Sequence, residues 1–126
     1  MNSSSKRLRV LVVEDEGMVV MLIEDMLADL GHEVGAIASR LQDGVEMART
    51  GTFDLAIVDL NLGGQPGYPI AAILRERGIP FVFATGYGEI GLEPQYAGTP
   101  TLAKPFVCAD LQKMVSQALS ETKRQL

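Results

Sequence analysis

The chain contains no tryptophan, one cysteine (Cys108), one histidine (His32) and fewer basic than acidic residues. Each shortage excludes something. A lone cysteine forms no internal disulfide and no Cys-rich metal site, and it fits a reducing, cytoplasmic setting. His32 falls on a turn between a predicted helix and a predicted strand; it reads as a surface residue and argues against histidine-based catalysis. Eleven Lys and Arg against sixteen Asp and Glu leave a formal net charge of -5. Duplex DNA repels such a surface, so no nucleic-acid partner is expected. The one basic cluster, Lys6, Arg7 and Arg9, sits in a Ser-rich leader and reads as the solvated start of a strand. No apolar run approaches the ~20 residues that cross a bilayer. Met1 to Arg7 holds no apolar segment long enough for a signal peptide, and Asn2 gives no myristoylation signal, so no membrane partner is expected.

What is present is ordinary for one globular domain. The 126 residues are 47% apolar and 21% charged. A chain of this size buries roughly two-thirds of its unfolded surface, enough for a core without disulfides. Short apolar runs alternate with helical patterns. Leu8 to Val13, Glu33 to Ala38, Phe53 to Val58, Ile79 to Ala84 and Pro100 to Ala103 read as five strands. Gly17 to Leu30, Arg40 to Arg49, Tyr68 to Arg77 and Val107 to Leu119 read as helices, with Gly31 and Gly78 as stops and Ser39 as an expected N-cap. In the first helix, Val19, Leu22, Ile23, Met26, Leu27 and Leu30 form the expected core stripe. Met18, Val20 and Met21 fall outside it, which implies either a broadly buried helix or a patch for a partner protein. Between the fourth and fifth strands a helix is due, but Gly86, Gly88, Gly91, Pro94 and Gly98 predict a short or irregular element instead.

This alternation predicts an α/β fold: a flavodoxin-like, doubly wound parallel sheet of the (βα)5 kind, with strand order 2-1-3-4-5. Ligands of such sheets bind beyond the carboxyl ends of the strands, near the switch point between strands 1 and 3. The residues there are Glu14-Asp15-Glu16 after strand 1, Asp59 after strand 3, Thr85 after strand 4 and Lys104-Pro105 after strand 5. Strands about 4.8 Å apart let Asp15 and Asp59 share one cation, and only a long side chain such as Lys104 spans the ~10 Å from strand 5. Clustered carboxylates repel and raise one another's pKa, a penalty that a divalent cation removes; an all-oxygen site suits Mg²⁺, with Mn²⁺ the substitute. Asp59 is then a candidate carboxylate nucleophile toward a phosphoryl group, with Lys104 and Thr85 as partners for its oxygens.

VLVVEDE, DLAIVDLNLGG, FATGYG and LAKPF, in this order and spacing, closely resemble the receiver domain of two-component response regulators. The resemblance covers about Leu8 to Leu119 and implies a single receiver domain over residues 1–126. It implies Asp59 as phosphoacceptor, Asp15 as a direct Mg²⁺ ligand, Glu14 as a ligand through water, and the Asn61 backbone carbonyl as a further ligand. It implies Thr85 and Lys104 against the phosphoryl group and a cis Lys104-Pro105 bond. The donor would be a sensor histidine kinase or a histidine phosphotransfer protein, and a downstream protein partner is possible. The chain would be a cytoplasmic signalling acceptor and not an enzyme, although it supports its own phosphotransfer and slow autodephosphorylation. Its single histidine argues against its being the phosphotransfer protein. FATGYG at Phe83 to Gly88 resembles a subfamily, common in alphaproteobacteria, that lacks the usual aromatic switch: Leu102 stands two residues before Lys104, where Tyr or Phe is usual. Tyr87 is then the expected switch element, within a segment expected to order on phosphorylation. The absence of an output domain after the last helix suggests a stand-alone regulator.

Other readings exist for each residue. Asp59 alone would pass as a turn or helix cap, and Glu16 as a solvated acid in a first helical turn. Gly63-Gly64 lacks the Lys-Ser/Thr of a P-loop and reads as a flexible loop. Cys108 opens the last helix and is expected to be inert. A Mg²⁺-dependent phosphohydrolase usually has a second Asp two residues after the nucleophile, where this chain has Asn61. A pseudo-receiver would not need the complete set of Glu14, Asp15, Asp59, Thr85 and Lys104.

Overall fold

A computed structural model describes residues 6–86 and 92–125. Five strands, β1 (Arg9–Val13), β2 (Glu33–Ala38), β3 (Leu55–Asp59), β4 (Phe81–Thr85) and β5 (Thr101–Ala103), form one parallel sheet in the order β2-β1-β3-β4-β5. Helices α1 (Gly17–Asp29), α2 (Leu41–Thr50), α3 (Tyr68–Glu76) and α4 (Cys108–Gln125) connect and flank them. The predicted flavodoxin-like fold and strand order are therefore those observed.

Alternation along the strands builds two cores, because successive side chains point to opposite faces. Leu11, Val13, Ala56, Val58, Phe81 and Phe83 go to one side, where they pack with Ile70, Ala71 and Leu74 of α3. Val10, Val12, Leu55, Ile57 and Val82 go to the other, against Ile23 and Leu27 of α1 and Leu111 and Val115 of α4. The three central strands are apolar almost throughout because each is covered on both faces.

The end of α1 shows why it stops where it does. Gly31 adopts φ +86°, a backbone shape that a Cβ disfavours. Its N–H donates to Ala28 O at 3.0 Å and the next N–H, of His32, donates to Leu27 O at 2.8 Å. This pair of bonds satisfies carbonyls that the helix leaves open. The same closure ends α3, through Gly78 to Arg75 and Ile79 to Leu74.

Several local expectations are corrected. Ser39 is not an N-cap: α2 begins at Leu41 after Arg40, without a side-chain cap. In α1, Val20 is buried, whereas Leu22 is 53% exposed beside Met18 at 82% and Met21 at 63%. Apolar residues surround the first turns of this helix, so periodicity alone does not fix where the buried stripe runs. His32 is not a simple surface residue. It is half-buried, its Nδ1 accepts a hydrogen bond from the Leu8 N–H at 3.1 Å, and burial holds its imidazole below its ordinary pKa. The last helix runs to Gln125, past the expected Leu119. Between β4 and β5 the described residues form only a 3₁₀ turn, Pro94–Tyr96, as the glycines there predict. Tyr87, Gly88 and Gly91 lie outside the described residues.

Candidate functional site

The strands end in register, and the ladder continues one residue beyond them. Asp59 sits opposite Ala84, and Thr85 opposite Ala103. Glu14 N–H donates to Ala38 O at 3.0 Å, Leu60 N–H to Ala84 O at 2.9 Å and Lys104 N–H to Thr85 O at 2.8 Å. These bonds hold Glu14, Asp59 and Lys104 at one rim of the sheet. Gly67 packs directly on the strand that carries Asp59, where a Cβ would collide with the Asp59 carbonyl oxygen. A glycine is thus required where the loop passes the site.

Asp59 is buried, with 2% exposure. Its Oδ1 accepts the Asn61 N–H at 3.0 Å, and its Oδ2 meets Lys104 Nζ at 3.0 Å. Glu14 is equally buried. Its Oε2 accepts the Glu16 N–H at 3.1 Å, and its Oε1 lies 2.9 Å from Lys104 Nζ. That second contact is an ion pair without hydrogen-bond alignment, so Glu14 Oε1 is buried with charge opposite it but no aligned donor. Asp15 is exposed and its Oδ2 accepts the Gly63 N–H at 3.1 Å, which ties the β3–α3 loop across the rim. Asn61 Oδ1 tightens the same loop by accepting the Gly64 N–H at 2.7 Å. Glu14, Asp15 and Asp59 each offer a carboxylate oxygen, all within 4.8 Å of one another.

Electrostatics follow from this crowding. Burial pushes the Glu14 carboxyl up to about 7, with the Asp59 charge adding to the rise and the Lys104 ammonium opposing it. Burial pulls Lys104 down, but its close contacts with the Glu14 and Asp59 carboxylates outweigh it and leave the ammonium above its ordinary pKa. The site therefore holds a surplus of negative charge that one lysine partly offsets. Three carboxylates with convergent oxygens, among them Glu14 with one oxygen that lacks an aligned donor, form a donor set suited to a hard divalent cation.

A cleft of about 600 Å³ opens over these groups, with Thr85, Gly86 and Tyr68 on its far wall. The structure thus brings together Glu14, Asp15, Asp59, Asn61, Thr85 and Lys104 as expected. Lys104-Pro105 is cis, also as expected. Leu102 is separate: it is buried in the core beneath α1 and α4. Tyr87 lies outside the described residues. Two residues that sequence reasoning passes over belong to the site. Tyr68, read only as the start of a helix, lines the cleft, and Glu16, read as a solvated acid, reaches to 3.7 Å from Lys104 Nζ. Their sequence signal is position alone, one following the Asp59 loop and one following the acidic pair.

The family model of the response regulator receiver domain matches residues 10–116, which include every one of these strand-end residues. The chain belongs to that family. Receiver domains of this family are parts of two-component signalling systems. The transcriptional regulatory protein PdtaR of Mycobacterium tuberculosis is 31% identical over 116 residues, covering 89% of this chain and 57% of PdtaR. The chain thus spans about half the length of the curated relatives it matches. Among solved structures, SdrG from Sphingomonas melonis Fr1 superposes with a TM-score of 0.81 at 33% identity, over 90% of this chain and 97% of SdrG. The receiver domain of the Erythrobacter litoralis response regulator PhyR gives a TM-score of 0.79 at 28% identity, over 93% of both chains. The two solved chains match this one over nearly all of their length, whereas the curated relatives are longer.

Proposed function

We propose that this receiver domain is a phosphoacceptor that takes a phosphoryl group on Asp59 from a sensor histidine kinase or a histidine phosphotransfer protein. The observation that carries the reading is the Asp59 carboxylate itself: buried at a strand end, held by the Asn61 N–H and Lys104, and within reach of Glu14 and Asp15. Glu14, Asp15, Asp59 and the Asn61 backbone carbonyl are the proposed ligands of Mg²⁺ or Mn²⁺. When bound, the cation offsets the carboxylate charge that would otherwise repel an incoming phosphate.

The chain's own residues supply the rest. The Asn61 N–H fixes the orientation of the Asp59 carboxylate, so that it is presented to the cleft in one pose. One of its oxygens bonds to phosphorus as the bond between phosphorus and the donor nitrogen breaks, and the nitrogen leaves with the electron pair. Lys104 moves its ammonium from the carboxylates to a phosphoryl oxygen, and the Thr85 hydroxyl is the second donor on the cleft wall. Asn61 stands where a phosphohydrolase of similar chemistry would have an acid, and its side chain is occupied by the Gly64 N–H, which favours an acceptor over a hydrolase. The FATGYG reading, with Tyr87 and the Gly-rich segment as the switch and Leu102 in place of the usual aromatic, rests on the sequence from Phe83 to Gly88 and on Leu102. A cytoplasmic setting and a downstream protein partner complete the proposal. Among the described residues no helix is long and apolar enough to cross a membrane.

Incubation with acetyl phosphate, with and without Mg²⁺, tests the reading by intact mass. A Mg²⁺-dependent gain of one phosphoryl mass, absent in Asp59→Asn, is expected. Absence of that gain together with failure to form a beryllofluoride complex would replace this reading with that of a pseudo-receiver.

A further inference from the structure

One carboxylate at the cleft is left over from the acceptor chemistry. Glu16 is not among the three acids whose oxygens converge. Its backbone N–H is engaged by Glu14, while its side chain, 65% exposed, places Oε1 3.7 Å from Lys104 Nζ. It borders the acidic cleft on one side and, on the other, an adjoining hollow of about 350 Å³ walled by Val19, Leu22, Pro105 and Phe106. Glu16 therefore stands at the mouth, where a donor must enter and its leaving group must depart.

The charges around it are unequal. Glu14, Asp15, Glu16 and Asp59 bring four formal negative charges and Lys104 one positive. A divalent cation and Lys104 together balance three of the four. The three convergent acids would be the ones a cation draws on, whereas Glu16 stands outside that group and keeps its charge at the exposed edge of the cleft, 3.7 Å from Lys104 Nζ. A fixed charge at the mouth of a cleft with low-dielectric walls acts on whatever charged species enters.

We propose that Glu16 sets the preference of this cleft among phosphoryl donors, disfavouring dianionic acyl phosphates and favouring donors that release a nitrogen base. The proposal rests on the acceptor reading of Asp59. In either reaction an Asp59 oxygen forms the new bond to phosphorus. With acetyl phosphate the P–O bond breaks and acetate leaves with the electron pair, so negative charge builds on the departing oxygen beside Glu16. With phosphoramidate, a zwitterion, the nitrogen carries positive charge beforehand; the P–N bond breaks and ammonia leaves with the pair and its three protons. Glu16 attracts that nitrogen as the donor enters, whereas it repels the acyl phosphate dianion; bond breaking returns part of the attraction as the nitrogen becomes neutral, but the leaving group never carries a negative charge beside Glu16. A phosphorylated imidazole shares this pattern.

The test compares initial phosphorylation rates of the parent chain, Glu16→Gln and Glu16→Lys with acetyl phosphate and with phosphoramidate, at saturating Mg²⁺, by intact mass. Comparing the ratio of the two rates between variant and parent cancels differences in intrinsic donor reactivity. Glu16→Gln is expected to raise the acetyl phosphate to phosphoramidate ratio roughly three- to tenfold, and Glu16→Lys further in the same direction. The change is expected to shrink at high salt, where charges on an exposed side chain are screened. Equal melting temperatures of the three proteins exclude a folding effect. An unchanged ratio, or an equal change with both donors, overturns the proposal and leaves the acceptor reading standing. Failure of the parent chain to be phosphorylated by either donor, together with failure to form a beryllofluoride complex, overturns both.

Discussion

Glu14 and Asp15 are neighbours with the same charge and nearly the same side chain, yet Glu14 is buried against Lys104 and Asp15 faces solvent. Chain direction at the strand end decides this, since successive residues turn to opposite sides. Sequence reasoning finds both acids, but it cannot see that one of them is neutralised from within by a lysine ninety residues away. The consequence is a pH dependence with a definite sign. The folded-state pKa of Glu14 is raised from 4.5 to about 7, so its contribution to stability is fully present below pH 4.5 and is lost as pH rises through about 7. In EDTA, the domain is expected to be less stable to urea at pH 8 than at pH 5 by up to ~3 kcal/mol from this group. Glu14→Gln, which stays neutral, should flatten that slope; an unaltered slope in the variant would show that Glu14 does not carry it.

The connection between β4 and β5 shows what is and is not legible at the scale of an element. Its glycines and proline foretell that no regular helix forms, and the described part is a single 3₁₀ turn. How that turn is held is not legible, because the contacts join residues far apart in the chain. The Tyr68 ring stacks on Tyr96 at 5.0 Å and meets Phe83 edge-on at 5.8 Å, and its hydroxyl accepts the Glu93 N–H at 3.1 Å. The Arg75 guanidinium lies 4.6 Å from the Tyr96 ring centre and Nη1 donates to Gln95 O at 2.7 Å. Helix α3 thus carries both an anchor for the turn and one wall of the cleft. Arg75→Ala removes one hydrogen bond and one ring–cation contact, an expected loss of about 1–2 kcal/mol. Native-state hydrogen exchange should show the loss chiefly at Tyr96 and Ala97, whose N–H groups close the turn. A loss spread evenly over the sheet would contradict this assignment. Boundary errors elsewhere have the same origin: Ser39 looks like a cap, but the backbone stays extended through Arg40 before α2 begins at Leu41.

At the scale of the whole molecule, the order of the strands was readable because alternating elements, right-handed crossovers and fully apolar central strands leave few arrangements. The same topology that buries two cores gathers acids from β1 and β3 at one end of the sheet, where their repulsion opposes folding. A cation that binds only the folded form relieves it. At a Mg²⁺ concentration 100 times the dissociation constant, stability should rise by about 2.7 kcal/mol. Thermal melts in Mg²⁺ and in EDTA at pH 8 check this, and Asp15→Asn should lose much of the gain; equal melting temperatures with and without Mg²⁺ would count against cation binding. The location of the site at the carboxyl edge follows from the fold, whereas its wiring, with Lys104 shared by Glu14, Asp59 and Glu16, required the tertiary structure.

That shared lysine makes the site an ion exchanger rather than an empty receptacle. Its ammonium is tethered 2.9 Å from one carboxylate and 3.0 Å from another, so any arriving ion competes with a resident of unit charge that never diffuses away. Sodium or potassium would replace one positive charge with another and gain little. Only an ion of higher valence would improve on the incumbent, so for the proposed cation site discrimination against the abundant monovalent ions would arise from competition, without a pore or a cage shaped to measure them.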